Sequence, residues 1–167
     1  MMIKQKVETA LNEQMKKEFY SSYLYLSMAA HFESLNFKGF AHWMRIQSQE
    51  EYGHAIRIFQ HLIERTGKVV LQQIEAPPSK WDSPKKVFED AYQHEQKVTQ
   101  SISDLVELSR AEKDHPTEIF LQWFVKEQVE EEASAQEIVQ KLQLIGDEGS
   151  ALFFLDGELG KRTSSKE

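Results

Sequence analysis

The chain contains no cysteine. Disulfides, iron–sulfur centres and thiolate zinc sites are therefore excluded, and the lack of disulfides fits a cytoplasmic protein. No apolar run of about 18 residues is present, so the sequence offers no membrane-spanning helix and no membrane partner. The start, Met1-Met2-Ile3-Lys4-Gln5-Lys6, turns polar at once and carries no secretory signal pattern. Positive charge is scarce: 20 Lys and Arg stand against 27 Asp and Glu, a net charge of −7 at pH 7. Nucleic-acid affinity rests on neutralising phosphates with Lys and Arg, so that partner is disfavoured. The short basic stretch, Lys161-Arg162 with Lys166, reads as a solvated end. An acidic surface attracts metal cations instead. The 167 residues are enough for one domain, residues 1–167, with a sizeable core.

Glycine and proline are also sparse, seven and four, and they fall in clusters that punctuate the chain. Between them the apolar spacing predicts helices over about 5–35, 38–66, 84–113 and 116–145, with a short fifth helix over about 148–158. Ser83-Pro84 has the form of a cap and first helical position, and Asp114-His115-Pro116 restarts the pattern for the fourth helix. Short turns make helices one and two antiparallel, and likewise three and four. The connection over about 67–83 is different. Its roughly 17 extended residues can reach about 55 Å, whereas a helix of roughly 28 residues is about 42 Å long. The connection can run the whole length of the bundle and set helix three parallel to helix two. The expected fold is an all-α four-helix bundle with one long crossover.

Four stripes follow the alternating three- and four-residue spacing of a core-facing helix side. They are Leu11-Met15-Glu18-Ser22-Tyr25-Ala29-Phe32, Phe40-Met44-Gln47-Glu51-His54-Ile58, Phe88-Ala91-Glu95-Val98-Ile102-Leu105 and Leu121-Phe124-Gln128-Glu131-Ala135-Ile138-Leu142. Each is interrupted near its middle by a glutamate. One buried unpaired carboxylate costs several kcal/mol, so four at matched depth call for a shared cation. Glu51-x-x-His54 puts two ligands one turn apart on one face. By itself that pair is a weak signal; the three other stripes give it weight. Several carboxylates with one imidazole suit iron or manganese better than structural zinc. Glu18, Glu51, Glu95 and Glu131 balance the charge of two divalent ions, and with no ion present some of them should hold protons.

With these residues in place the chain resembles a bacterial non-haem ferritin along nearly its whole length. The segments that carry the likeness are Leu11-Asn12-Glu13-Gln14-Met15 through Glu18-x-Tyr20-Ser21-Ser22-x-Leu24-Tyr25, then Gln49-Glu50-Glu51-x-x-His54, Gln93-His94-Glu95, and Phe120-Leu121-Gln122-Trp123-Phe124 through Glu127-Gln128-x-Glu130-Glu131-Glu132. Ferritin-like folds are themselves the standard case of a bundle with one long crossover. The resemblance implies a ferroxidase centre in each subunit, a hollow homo-oligomeric shell of twenty-four subunits, and a ferric oxide mineral inside. Position by position, Glu18, Glu51 and His54 would hold a first iron. Glu51 would bridge to a second iron held by Glu95 and Glu131, with Gln128 beside the pair. A nearby third site would use Glu50, Glu127 and Glu130, sharing Glu131. Tyr25 could supply an electron during oxygen reduction, or be a core tyrosine with a satisfied hydroxyl.

Departures narrow the family. Bacterioferritins carry a second Glu-x-x-His on helix four, where this chain has Glu127-Gln128-Val129-Glu130. Their haem-binding methionine would fall at Tyr52, which argues against haem. The missing cysteine argues against rubrerythrin, and mini-ferritins lack carboxylates on helices three and four. Weaker features remain open. Gly53 either permits close packing or leaves room near the inner wall. Trp123 lies near the site or simply fills core. Glu118 favours the helix dipole or guides cations at a threefold channel. Leu152-Phe153-Phe154-Leu155 closes a fourfold axis or covers its own bundle. His31, His42, His61, His94 and His115 read as surface or packing residues, with His94 facing away from Glu95. The expected function is oxidation of Fe(II) by oxygen or hydrogen peroxide and storage of the product. The rivals are a di-iron peroxidase without storage and a non-catalytic helical module with an acidic seam.

Overall fold

The structure, a computed structural model, describes residues 2–164; Lys166 of the basic stretch lies outside them. Four long helices, α1 (Gln5–Ser34), α2 (Lys38–Glu64), α3 (Pro84–Ala111) and α4 (His115–Ile145), are followed by a short α5 (Gly149–Leu159). The described residues contain no strand, and no helix is long and apolar enough to cross a membrane. The fold is the helical bundle with a short fifth helix expected from the sequence.

Local chemistry sets the helix ends. Ser83 accepts a hydrogen bond from the Lys86 amide and Pro84 opens α3; Asp114 accepts from the Thr117 amide and Pro116 sits in the first turn of α4. Asn36, Thr66 and Lys113, just past α1, α2 and α3, all have positive φ. Behind each, paired amides turn back to the last helical carbonyls, as in Phe37 N to Phe32 O (3.0 Å) and Asp114 N to Ser109 O (2.8 Å). Thr66 and Lys113 take this left-handed position at a cost that asparagine or glycine would not incur. Gly146 ends α4 at φ +60°, where only glycine is unstrained.

The crossover runs along α1 and fixes the topology. Its start is tied to the N-terminal turns of α1, through Lys68 O to Asn12 Nδ2 (2.9 Å) and Val70 N to Asn12 Oδ1 (2.7 Å). Midway, Glu75 pairs with Lys16 at 2.8 Å. Near its end Ser27 donates to Pro78 O, and the Trp81 ring packs on His31 with centroids 5.3 Å apart. The connection thus traverses the bundle, and α3 starts at the end where α2 started.

The core is split in two by a polar layer. One apolar half gathers Leu24, Tyr25, Met28 and Phe32 of α1, Phe40 to Met44 of α2, Val87 to Ala91 of α3, and Ile138 and Leu142 of α4. Its centre is the Phe32, Phe40 and Phe88 trio, with ring centroids 5.2–5.7 Å apart; losing one such ring costs about 3–5 kcal/mol. The other half gathers Val7, Leu11 and Met15, then Ala55 to Leu62, Val98 to Val106, and Leu121 with Phe124. On every long helix the candidate ligands lie in the gap between the two halves. The far end of the second half is closed by a buried ion pair. Arg65 Nη1 meets Asp114 Oδ1 at 2.9 Å and also donates to Thr117 Oγ1 at 3.0 Å. His61 stacks on Phe120 beside it, with centroids 4.0 Å apart. Breaking a buried pair of this kind costs about 3–5 kcal/mol, so it pins α2 to α4.

Helix α5 folds back onto the start of α2. The Phe40 amide donates to Asp156 Oδ1 at 2.9 Å, and a Cβ at Gly39 would lie 1.6 Å from the Asp156 carbonyl oxygen. Only glycine permits that approach.

Candidate metal centre

Glu18, Glu51, Glu95 and Glu131 all lie in the polar layer, exposing 1, 1, 1 and 7 % of their surface. Glu18, Glu51 and His54 each bring one ligand atom within 4.8 Å of the others; so do Glu51, Glu95 and Glu131. The two trios share Glu51. Glu51 is the residue that the resemblance to ferritins makes the bridge between two irons. One oxygen, Glu18 Oε2, is buried and accepts no hydrogen bond. It stands 3.8 Å from His54 Nδ1. An orphaned carboxylate oxygen at the centre of four acidic groups fits a cation rather than a protein partner.

Three amides orient the carboxylates. Gln14 Nε2 donates to Glu18 Oε1, and Gln47 Nε2 to Glu51 Oε1, both at 2.9 Å. Each glutamine lies four residues before its glutamate, so the bond forms along one helix face. Gln47 Nε2 also reaches Glu131 Oε2 at 2.6 Å, tying α2 to α4. Gln128 Nε2 donates to Glu95 Oε2 at 3.2 Å. The Tyr25 hydroxyl donates to the other oxygen, Glu95 Oε1. The sequence stripes include Gln47 but give it no role and omit Gln14; the repeated Gln-x-x-x-Glu spacing is the signal that would have found both.

Charge is balanced by protons. Burial drives the Glu51 carboxyl well above its usual range, and the Glu95 and Glu131 charges push the same way. Burial raises Glu95 to about 7 and, with Glu95 beside it, raises Glu131 to about 8. His54 behaves oppositely. Burial works against its charge, but Glu18 and Glu51 outweigh it and raise the imidazole to about 12. Burial also opposes the charge on Glu18, yet His54 and Gln14 hold it below the usual range. Burial and then Glu95 lift the Tyr25 phenol well above its normal value. Without bound metal the charged form of His54 is favoured, and the protonated forms of Glu95 and Glu131 are favoured beside it.

Beyond His54 lies a cleft of about 500 Å³ lined by Glu50, Gly53, Arg57, Trp123, Glu127 and Glu130 among others. His54, Glu127 and Glu131 form a third trio within the same 4.8 Å limit. Glu50 and Glu130 line the cleft but join none of the trios, and Glu50 Oε2 accepts instead from Arg162 Nη2 at 2.8 Å. The basic stretch is thus not simply solvated at Arg162. A Cβ at Gly53 would meet nothing within 4 Å, so close packing does not explain that glycine; it leaves the cleft wider. Trp123 does lie near the centre, its ring 5.3 Å from that of His54 and under the Arg57 guanidinium at 4.0 Å.

The remaining positions fall outside the centre. His94 bonds Ser21 Oγ at 2.7 Å, and burial lowers it to about 4, so it is neutral at pH 7. Glu118 pairs with Arg110 at 2.6 Å. On α5, Leu152 and Leu155 pack on the bundle, while Phe153 and Phe154 stay 64 and 72 % exposed.

The chain is similar to known ferritins in sequence and fold. A family profile described as a ferritin-like domain covers residues 8–145. A bacterial non-heme ferritin of Bacteroides fragilis is 48 % identical over 161 residues, which are 96 % of this chain and 100 % of that protein. A bacterial non-heme ferritin of Escherichia coli is 39 % identical over 158 residues, 95 % of this chain and 96 % of that one. Among solved structures, an open pore ferritin from the archaeon Archaeoglobus fulgidus superimposes with a TM-score of 0.96 at 55 % identity, covering 96 % of this chain and 98 % of that one.

Proposed function

The chain belongs to the ferritin family, and from that membership we propose that it oxidises ferrous iron at a two-iron centre in each subunit. It stores the ferric product as mineral inside a cytoplasmic shell of twenty-four of its own copies. The observation that carries the reading is the pair of buried ligand trios joined at Glu51, with Glu18 Oε2 left without a hydrogen bond.

Iron is the substrate. Glu18, Glu51 and His54 receive one ferrous ion; Glu51, Glu95 and Glu131 receive the other. Four carboxylates offset the charge of two divalent ions, and the protons on His54 and Glu131 leave as metal enters. Each ferrous ion loses one electron, and oxygen or hydrogen peroxide accepts the pair. The protein supplies position and electrostatics. Gln128 stands beside the pair, and its amide N–H serves the oxidant once metal engages Glu95. Among the described residues Tyr25 is the one oxidisable side chain hydrogen-bonded to a ligand carboxylate, and it can give a further electron while its proton passes to Glu95. Oxidation raises the positive charge of the product, so the acidic cleft of Glu127, Glu50 and Glu130 draws it away from the centre.

Assembly is supported by bare apolar side chains. Leu71, Ile119, Val129, Phe153, Phe154 and Leu144 expose between 64 and 89 % of their surface. Such residues suit burial between copies. Loading the purified protein with excess Fe(II) in air and separating it by size tests storage. A shell-sized particle carrying far more iron than its ligands could hold is expected. Stoichiometric iron on a single chain or a small oligomer would instead mark an oxidase without storage.

A further inference from the structure

Arg162 lies 112 residues from Glu50 in sequence, yet its guanidinium is seated on the rim of the cleft beside the two trios. It covers the Trp43 ring at 4.3 Å and donates to the Trp43 carbonyl at 3.1 Å. Its Nη2 is shared between Gln47 Oε1 and Glu50 Oε2, each at 2.8 Å. The Arg162 carbonyl is held by His42 Nε2 at 2.8 Å, and Ser164 lines the cleft just beyond. A five-point attachment by one side chain and its backbone is not what a solvated end makes. The partners are also informative. Glu50 is a carboxylate of the cleft that, like Glu130, joins no trio, and Gln47 is the amide that orients both Glu51 and Glu131.

We propose that Arg162 is an internal counter-cation that competes with metal for Glu50, so that the C-terminal strap is a latch on the cleft beside the two-iron centre. This rests on the ferroxidase reading given above. A guanidinium seated on Glu50 Oε2 offsets its charge and repels a second cation at the same carboxylate. A cation arriving at Glu50, Glu127 and Glu130 therefore displaces Arg162, and displacement frees the strap from Trp43 and Gln47. The competition keeps the cleft a weak site, through which an ion passes rather than one in which it rests.

The test uses assembled protein and Zn(II), which binds without redox chemistry. Because the chain has no cysteine, Thr163→Cys gives a single attachment point for a nitroxide spin label on an exposed residue of the strap. Calorimetric titration of the wild type should show two tight ions per subunit and a weaker third. Arg162→Ala should tighten the third by about tenfold or more, the scale of one charge-assisted hydrogen bond, and leave the first two unchanged. In the labelled protein the first two equivalents should leave the nitroxide immobile and the third should release it. With Glu50→Gln the third event should be lost. A third ion that binds with the nitroxide still immobile, or with the same affinity in Arg162→Ala, would overturn the latch while leaving the two-iron centre standing. Absence of the two tight ions in the wild type would overturn the ferroxidase reading itself.

Discussion

Glu51→Gln is expected to lower the rate of ferrous oxidation more than about 100-fold and to remove both tight metal sites together. Glu51 is the only residue common to the two trios. Changes to groups that merely orient a ligand commonly cost about 10–100-fold in metal affinity or activity, so loss of a shared ligand should exceed that range. Glu18→Gln and Glu95→Gln should each remove one site and leave one ion binding, because each belongs to a single trio. The fold should survive. Burial and then the Glu95 and Glu131 charges drive the Glu51 carboxyl upward and disfavour its ionisation, and glutamine matches the protonated acid in shape and charge. Stopped-flow absorbance after mixing with oxygen, beside circular dichroism of the same samples, separates the two effects. Near-native oxidation by Glu51→Gln would contradict the shared-ligand geometry.

The second large effect is in pH. Divalent metal should bind at least about 100-fold more tightly for each pH unit gained between about pH 6 and 8, since each proton released contributes about tenfold per unit. Two groups set that minimum. Glu131 stays protonated up to about 8 and His54 up to about 12, and both must give up a proton to become ligands. The stability of the metal-free protein should move the other way. Glu95, Glu131 and His54 all have folded values above their unfolded ones, so the native state holds more protons than the unfolded chain. The contribution of the two carboxyls is complete below their ordinary value of 4.5 and is lost as pH rises through about 7 and 8, whereas that of His54 is complete below 6.5 and is lost only as pH rises toward about 12. The thermal shift produced by metal should accordingly be larger at pH 8 than at pH 6. Proton release measured in unbuffered titrations, with melting curves at the two pH values, checks both signs. A pH-independent affinity would mean that the carboxylates are ionised and paired within the protein.

Much of this centre is legible in the sequence because helical geometry makes it local. Three- and four-residue spacing places Glu18, Glu51, Glu95 and Glu131 on core-facing stripes, and interruption of an apolar stripe by acid is visible without any tertiary contact. Sparse glycine and proline mark the turns, and the length of the 67–83 segment leaves one sensible path across the bundle. What escapes the sequence depends on tertiary reach. Arg162 meets Glu50 only because α5 folds back over Gly39. Nothing in a Lys-Arg pair near a chain end announces that. Glu118 is bonded to Arg110 on the preceding helix, a contact set by how α3 turns into α4 rather than by local spacing. Thr66 and Lys113 take left-handed backbone at helix ends although neither residue type favours it, because the paired carbonyl bonds behind them hold the turn.

The most direct test is anaerobic titration of metal-free protein with Fe(II), followed by rapid mixing with oxygen. Two tightly bound ferrous ions per subunit, protons released as they bind, and oxidation far faster than in buffer are the predicted result. Ferrous ions held no more tightly than by an ordinary acidic surface, with oxidation at the rate of buffer, would contradict it and leave the buried carboxylates as a structural layer alone.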